Sequence, residues 1–185
     1  KRIAFVHNAM WEMYNFRGEL LQELKAKGYE ITVICPPDEK NAHYFTDLGI
    51  KLLTVPMSRK GTNIKEDLQL VKNLFKVYKK EKFDLVFHYT IKPNIYGTLA
   101  AKLAGIKSIA ITTGLGYVFL HNNITSLIAK FMYKFSLAFA NEVWFLNDDD
   151  MNIFLDKDLI TERQAFKLPS EGINTKRFVP KEKNR

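Results

Sequence analysis

Cysteine is nearly missing. Among 185 residues there is one, Cys35. A disulfide framework is excluded, and a reducing, cytoplasmic compartment is the natural expectation. Histidine is scarce as well: four scattered residues and one thiol cannot supply the ligand spacing of a zinc site. No apolar run reaches the roughly 20 residues that a membrane-spanning helix needs. The longest candidate, "ITSLIAKFMYKFSLAFA" (124–140), is interrupted by Lys130 and Lys134. No leader pattern precedes the strand-like "RIAFV" with which the chain opens. The dinucleotide fingerprint G-x-G-x-x-G should follow the first strand, but "NAMWEM" stands there, with no glycine before Gly18. A P-loop and a G-x-S-x-G nucleophile elbow are missing too. No cofactor or metal is therefore expected. No internal repeat or low-complexity linker divides the chain.

What is present describes an ordinary globular core with a basic surface. The chain is 46% hydrophobic and 26% charged, and 28 Lys and Arg against 20 acids leave a net charge of +8. That balance suits anionic partners, among them phosphates, nucleotides, nucleic acid or an anionic membrane, and equally a surface kept soluble by lysine. No nucleic-acid-binding motif singles out nucleic acid. Cys35 ends the apolar run "ITVIC" and reads as a buried strand thiol before it reads as a nucleophile.

Strand and helix patterns alternate along the chain. Strand-like runs are "IAFVH" (3–7), "EITVIC", "KLLTVP", "DLVFHY", "SIAITT", "EVWFLN" and "QAFKLP". Between them lie "NFRGELLQELKAKG", a short helix around 39–48, and "NIKEDLQLVKNLFKVYKKEK". In the last, Leu68, Val71, Leu74, Phe75 and Tyr78 follow the 3.6-residue period. "NIYGTLAAKLAG", residues 124–140 and "DDDMNIFLD" complete the set, with Asp148 to Asp150 as candidate caps. Such alternation implies right-handed βαβ crossovers. The expectation is one doubly wound, Rossmann-like α/β domain over residues 1–170, with about seven parallel strands and helices on both faces. Residues 171–185 form a charged tail.

Ligands of open α/β sheets bind at the carboxyl ends of the strands. The segments that follow strands are "HNAMWEMYNFRG", "HYTIKPNIYG", "TGLGYVF", "LNDDD" and "PSEGIN". Gly114 and Gly116 leave the fifth strand there, either for a plain turn or to bring backbone N–H groups close to a ligand. His88 has a pKa range suited to proton transfer, or is a satisfied core residue. Lys92 stands beside a helix start at Pro93 that favours an anion, or is a solvated cap. Arg17 either meets a phosphate or pairs on the surface with Glu12 or Glu19. The rim expected from these positions is Asn8, His88, Lys92, Gly114 and Gly116. The helix at 124–140 either packs wholly on the sheet or offers Phe, Leu and Lys to a membrane surface.

Taken together, "GYEITVICP", "DLVFHYTIKPNIYG", "ITTGLGYVF", "VWFLNDDD" and "LPSEGINTKRF", in this order and spacing, resemble the amino-terminal domain of glycosyltransferase family 4. The nearest likeness is to bacterial enzymes that extend lipid-linked oligosaccharides for capsule, O-antigen or protein glycosylation. The resemblance implies one half of a B-type glycosyltransferase, metal-independent and retaining. Its nucleotide-sugar donor would be held mainly by a second domain, and its lipid-linked glycan acceptor by this one. It also implies peripheral contact with the inner face of the cytoplasmic membrane, and an inactive fragment when this half stands alone. Carried onto this sequence, His88 is the candidate catalytic residue. Asn8, Arg17, Lys92, Thr113, Gly114, Gly116, Tyr117 and Glu171 are candidate substrate contacts. Thr113 stands where many members carry histidine, and no Gly-Gly pair follows the first strand. Two other readings remain: a non-catalytic Rossmann-like module for anionic lipid or phosphate, and a sugar-nucleotide epimerase of similar build.

Overall fold

In the computed structural model, seven parallel strands form one sheet in the order β3-β2-β1-β4-β5-β6-β7. The structure describes residues 1–58, 63–115, 119, 124–170, 172, 174–175 and 178–179. The strands are β1 (Arg2–Val6), β2 (Glu30–Cys35), β3 (Lys51–Thr54), β4 (Leu85–Tyr89), β5 (Lys107–Thr112), β6 (Glu142–Phe145) and β7 (Ala165–Lys167). The helices are α1 (Met10–Ala26), α2 (Glu39–Asp47), α3 (Ile64–Glu81), α4 (Thr98–Ala104), α5 (Ile124–Leu137) and α6 (Asp148–Asp156). Chain order reverses between β1 and β4, which are paired in register Val6 to His88. This is the switch point at which such sheets open a crevice.

Alternation along the strands sends side chains to opposite faces. Ile3, Phe5, Ile31, Val33 and Tyr89 pack in one cluster with Met13 and Leu21 of α1 and Phe45 of α2. Ala4, Val6, Ile34 and Val86 pack in another with Leu70, Leu74 and Tyr78 of α3 and Ala100 and Ala101 of α4. A third cluster joins Ala110, Val143 and Phe145 to Tyr133 and Leu137 of α5 and Phe154 of α6. The central strands are covered on both faces, which is why they read as unbroken apolar runs.

Several boundaries differ from the sequence reading. α1 begins at Met10, five residues before the expected Asn15, with no side-chain cap at Ala9. Packing of Met10 and Met13 into the core supplies what the missing cap does not. Asn147, rather than any of the three aspartates, caps α6 by accepting from the Asp150 N–H at 2.7 Å. The aspartates follow in the first turn, where they complement the helix dipole. Leu68 belongs to the expected apolar stripe of α3 but is exposed, and Asp67 is buried in its place. The helix after β4 opens with a π-turn, Pro93–Gly97. Gly97 sits where a β-carbon would lie 2.5 Å from the His88 ring, so only glycine lets this turn press on the strand.

Candidate functional site

Three segments meet at the carboxyl ends of β1, β4 and β5. The turn after β1 holds His7, whose Nδ1 accepts the Ala9 N–H at 2.9 Å. That bond assigns the ring proton of the neutral imidazole to Nε2, which lies 3.7 Å from the Glu12 carboxylate. Asn8 is half-buried beside it. Arg17, from the second turn of α1, is 5% exposed. Its guanidinium stacks 4.7 Å from the centre of the Tyr89 ring, at the end of β4. Arg17 thus takes an inward position, and Glu19 accepts a hydrogen bond from the Asn174 side chain.

Immediately after Tyr89 the backbone is strained. Thr90 has φ of 70°, a conformation that a β-branched residue rarely adopts and that costs on the order of 1–3 kcal/mol. Its Oγ1 is buried without a hydrogen-bond partner. The same is true of Asn94 Oδ1 in the π-turn and of Thr112 Oγ1 at the end of β5. Asn94 Nδ2 donates to the Ile111 carbonyl at 3.0 Å, so this turn is tied to the edge of β5. An unsatisfied buried oxygen costs about 1–3 kcal/mol. Thr113 and Gly114 follow on the exposed rim, Gly114 with φ of 148°, a value reserved for glycine. Gly116, Tyr117 and Glu171, also expected here, lie outside the described residues.

His88 does not belong to this edge. It is fully buried on the α3 and α4 side of the sheet. Its Nε2 is 2.9 Å from the Tyr78 hydroxyl and its Nδ1 3.4 Å from Thr98 Oγ1. Burial pushes its pKa down to about 3. A neutral imidazole with both nitrogens engaged and no exposed surface holds the core together; it has no access to a substrate, and the catalytic reading of His88 is corrected accordingly.

Lys92 is also drawn inward, toward α3. Its ammonium lies 2.7 Å from Asp67 Oδ1 and 2.7 Å from Ser58 Oγ, while Tyr96 donates to Asp67 Oδ2 at 2.7 Å. Burial and the Asp67 carboxylate hold the Tyr96 phenol protonated. Lys92 lines a cleft of about 420 Å³ with Met57, Ser58, Lys65, Asp67 and Asn73, but its charge there is already matched by Asp67. Cys35 is buried and its thiol is pushed up to about 12 by desolvation, so it stays protonated and unreactive. Among the described residues no cluster of three or more His, Cys, Asp or Glu has metal-binding geometry.

Sequence reasoning located the edge but passed over Thr90, Asn94, Thr112 and His7. Pattern carries no sign that a threonine has positive φ, or that an oxygen lacks a partner. The one available signal was position: each stands at or just past a strand end.

Comparison with known proteins adds to this geometry. The family described as glycosyl transferase 4-like matches residues 2–147. A curated relative from Campylobacter jejuni subsp. jejuni serotype O:2, N,N'-diacetylbacillosaminyl-diphospho-undecaprenol alpha-1,3-N-acetylgalactosaminyltransferase, is 32% identical over 97% of this chain and 48% of its own length. A second, from Escherichia coli, is named UDP-Gal:alpha-D-GlcNAc-diphosphoundecaprenol alpha-1,3-galactosyltransferase and is 24% identical over 82% of this chain and 39% of its own. The chain spans about half the length of the curated relatives it matches. Among solved structures, the S. aureus MnaA–UDP complex superposes with a TM-score of 0.68 at 14% identity, covering 100% of this chain and 49% of that one. Acinetobacter baumannii MurG gives 0.63 at 14% identity, covering 100% and 47%. At such identities the likeness concerns the fold alone.

Proposed function

Because the chain belongs to the glycosyl transferase 4-like family, we propose that it forms the acceptor-side half of a glycosyltransferase. The enzyme would move a sugar from a nucleotide-sugar donor to a lipid-linked glycan acceptor, with retention of configuration, at the inner face of the cytoplasmic membrane. Residues 1–170 would be the acceptor-side domain, and residues 171–185 would lead toward a second, donor-holding domain. The observation that carries this reading is the concentration of unsatisfied buried oxygens, on Thr90, Asn94 and Thr112, at the ends of two adjacent central strands. They offer hydrogen bonds to sugar hydroxyls or a diphosphate, with Asn8, Arg17, Thr113 and Gly114 around them. The domain's part is to position the acceptor hydroxyl, and positioning by itself can lower a transfer barrier by several kcal/mol. Lys92 contributes through the shape of the turn it anchors.

The test is transfer from a UDP-sugar to a diphosphoundecaprenol-linked acceptor by the full-length protein and by residues 1–185 alone. The full-length protein is expected to turn over and the half to be inert. Thr112→Val, which removes an oxygen that has no partner, is expected to leave the melting temperature unchanged or raised. It should lower kcat/KM at least about tenfold, or roughly 1.4 kcal/mol. Conversion or hydrolysis of the nucleotide sugar without any acceptor would overturn the reading in favour of an epimerase or hydrolase.

A further inference from the structure

The cleft beside Lys92 is more than a gap left by packing. It opens at the carboxyl edge of the sheet, between residues 56–58 after β3, the first half of α3 and the turn after β4. Its volume is about 420 Å³. Small-molecule sites commonly run from roughly 300 to 1,000 Å³. Met57 and Leu70 give it apolar walls, and at its base lies the Lys92–Asp67 pair, whose side chains are 10% and 9% exposed. A buried ion pair stabilises a fold no better than apolar side chains of like volume. Its place at the bottom of an open cleft therefore points to recognition as well as to anchoring.

The groups at the base still have hydrogen bonds to make. Of the three Lys92 ammonium protons, Asp67 Oδ1 and Ser58 Oγ take two, and no third acceptor meets Nζ among the described residues. The Asp67 oxygens accept from Lys92 and from Tyr96, and each keeps a second lone pair. Asn73 Oδ1 accepts from Gln69 at 2.7 Å, which leaves the Asn73 Nδ2 protons for another partner. Charge then selects the ligand class. The charged residues around the cleft are Lys65 and Lys92 against Glu66 and Asp67, so it carries no net charge. A phosphate or carboxylate reaching Lys92 would meet the Asp67 carboxylate beside it, and a cation would find that carboxylate already paired. A wholly apolar ligand would strand the spare donors and acceptors. A pyranose with uncharged substituents meets every condition: hydroxyls that both give and accept, no charge, and an apolar C–H face.

We propose that this cleft is a subsite for an uncharged pyranose, with its hydroxyls held by Asp67, Lys92 and Asn73 and its C–H face against Met57 and Leu70. The turn that carries Lys92 also carries Thr90 and Asn94, where the Asn94 N–H donates to the Thr90 carbonyl at 2.9 Å. The cleft thus adjoins the edge with the unsatisfied oxygens across one short segment. This deepens the proposed function and rests on it for the sugar's place in a glycan acceptor; binding of the sugar is measurable without any transfer.

The experiment is a titration of the 185-residue chain followed through the proton–carbon NMR resonances of its five methionine methyls, with that of Met57 assigned by Met57→Leu. The probes are the methyl glycosides of glucose, N-acetylglucosamine and glucuronic acid. A saturable shift at Met57 is expected with one or both uncharged glycosides, at a Kd on the order of 1 mM. The glucuronide should bind at least about fivefold more weakly. Asn73→Ala, at a half-buried helix position, should weaken binding roughly three- to tenfold at an unchanged melting temperature. No saturable shift at Met57 with either uncharged glycoside, glucuronide binding as tight as theirs, or affinity untouched by Asn73→Ala would overturn the proposal. Sugar binding in the cleft without transfer by the full-length protein would sink only the functional reading, and transfer without such binding only this one.

Discussion

Helices α3 and α5 carry the same 3.6-residue periodicity and use it in opposite senses. α3 buries Leu70, Leu74 and Tyr78 and turns Lys72, Lys76, Lys79 and Lys80 to solvent. α5 buries serines and turns isoleucine, leucine and phenylalanine outward. The two also differ in how they are fastened. α3 is pinned to the turn after β4 by the buried Lys92–Asp67 pair and Tyr96, while α5 is held by Tyr133 and Leu137 in the cluster with Phe154. Amphipathicity therefore reports that a helix has two faces, and the direction in which each is used depends on what else needs them. The apolar face of α3 serves the core; α5 gives part of its possible core contribution to an outward face.

The strongest way to break the comparison is to unfasten α3. Lys92→Met leaves the Asp67 carboxylate buried without its cation and should cost about 3–5 kcal/mol, read as a lowered urea midpoint. Little loss would mean that solvent reaches Asp67 and that the clamp is not structural. Next are the leucines. Leu74→Ala and Leu137→Ala both empty fully buried sites and should each cost about 2–5 kcal/mol in chemical denaturation. Near-neutrality at Leu137 alone would show that α5 is not anchored through this face.

A smaller, pH-dependent effect comes from His88 beneath α3. Its pKa is about 3 in the native state against 6.5 for an unperturbed imidazole, so between these values the unfolded chain takes up a proton that the folded chain refuses. Stability is then unaffected by this group above about pH 6.5. It falls as pH drops toward 3, by at most roughly 1.4 kcal/mol per unit. Denaturation between pH 7 and 4 measures it, and His88→Asn should remove this part of the slope whatever its own stability. The smallest effects sharpen the contrast on the outer faces. Leu68→Ser on α3 and Phe131→Ser on α5 are both expected within about 0.5 kcal/mol of the parent, because neither side chain is buried on folding. A loss well above that at Phe131 would place this residue in the core.

Much of the scaffold was legible because burial on both faces leaves a mark in composition. β2 spans Glu30–Cys35, as "EITVIC" indicates, and α3 begins at the cap supplied by Asn63. Alternation of apolar runs with amphipathic segments dictated a parallel, doubly wound sheet, and the rule about strand ends dictated which edge to inspect. These are consequences of local propensity and periodicity, which the chain carries residue by residue. Tertiary structure decided what sequence leaves open. His88 lies on β4 and Thr90, two residues on, just past its end. One is enclosed against Tyr78, Thr98 and Gly97, while the other is strained at the candidate site; only the packing of α3 and the π-turn on β4 separates their fates. Likewise Lys92 became a structural ion and Arg17 an inward-facing one because Asp67 and Tyr89 arrive from distant parts of the chain. A side chain's charge and size are written in the sequence; its solvent, partners and backbone strain arise from residues far away in it, and they exist only once the sheet has closed.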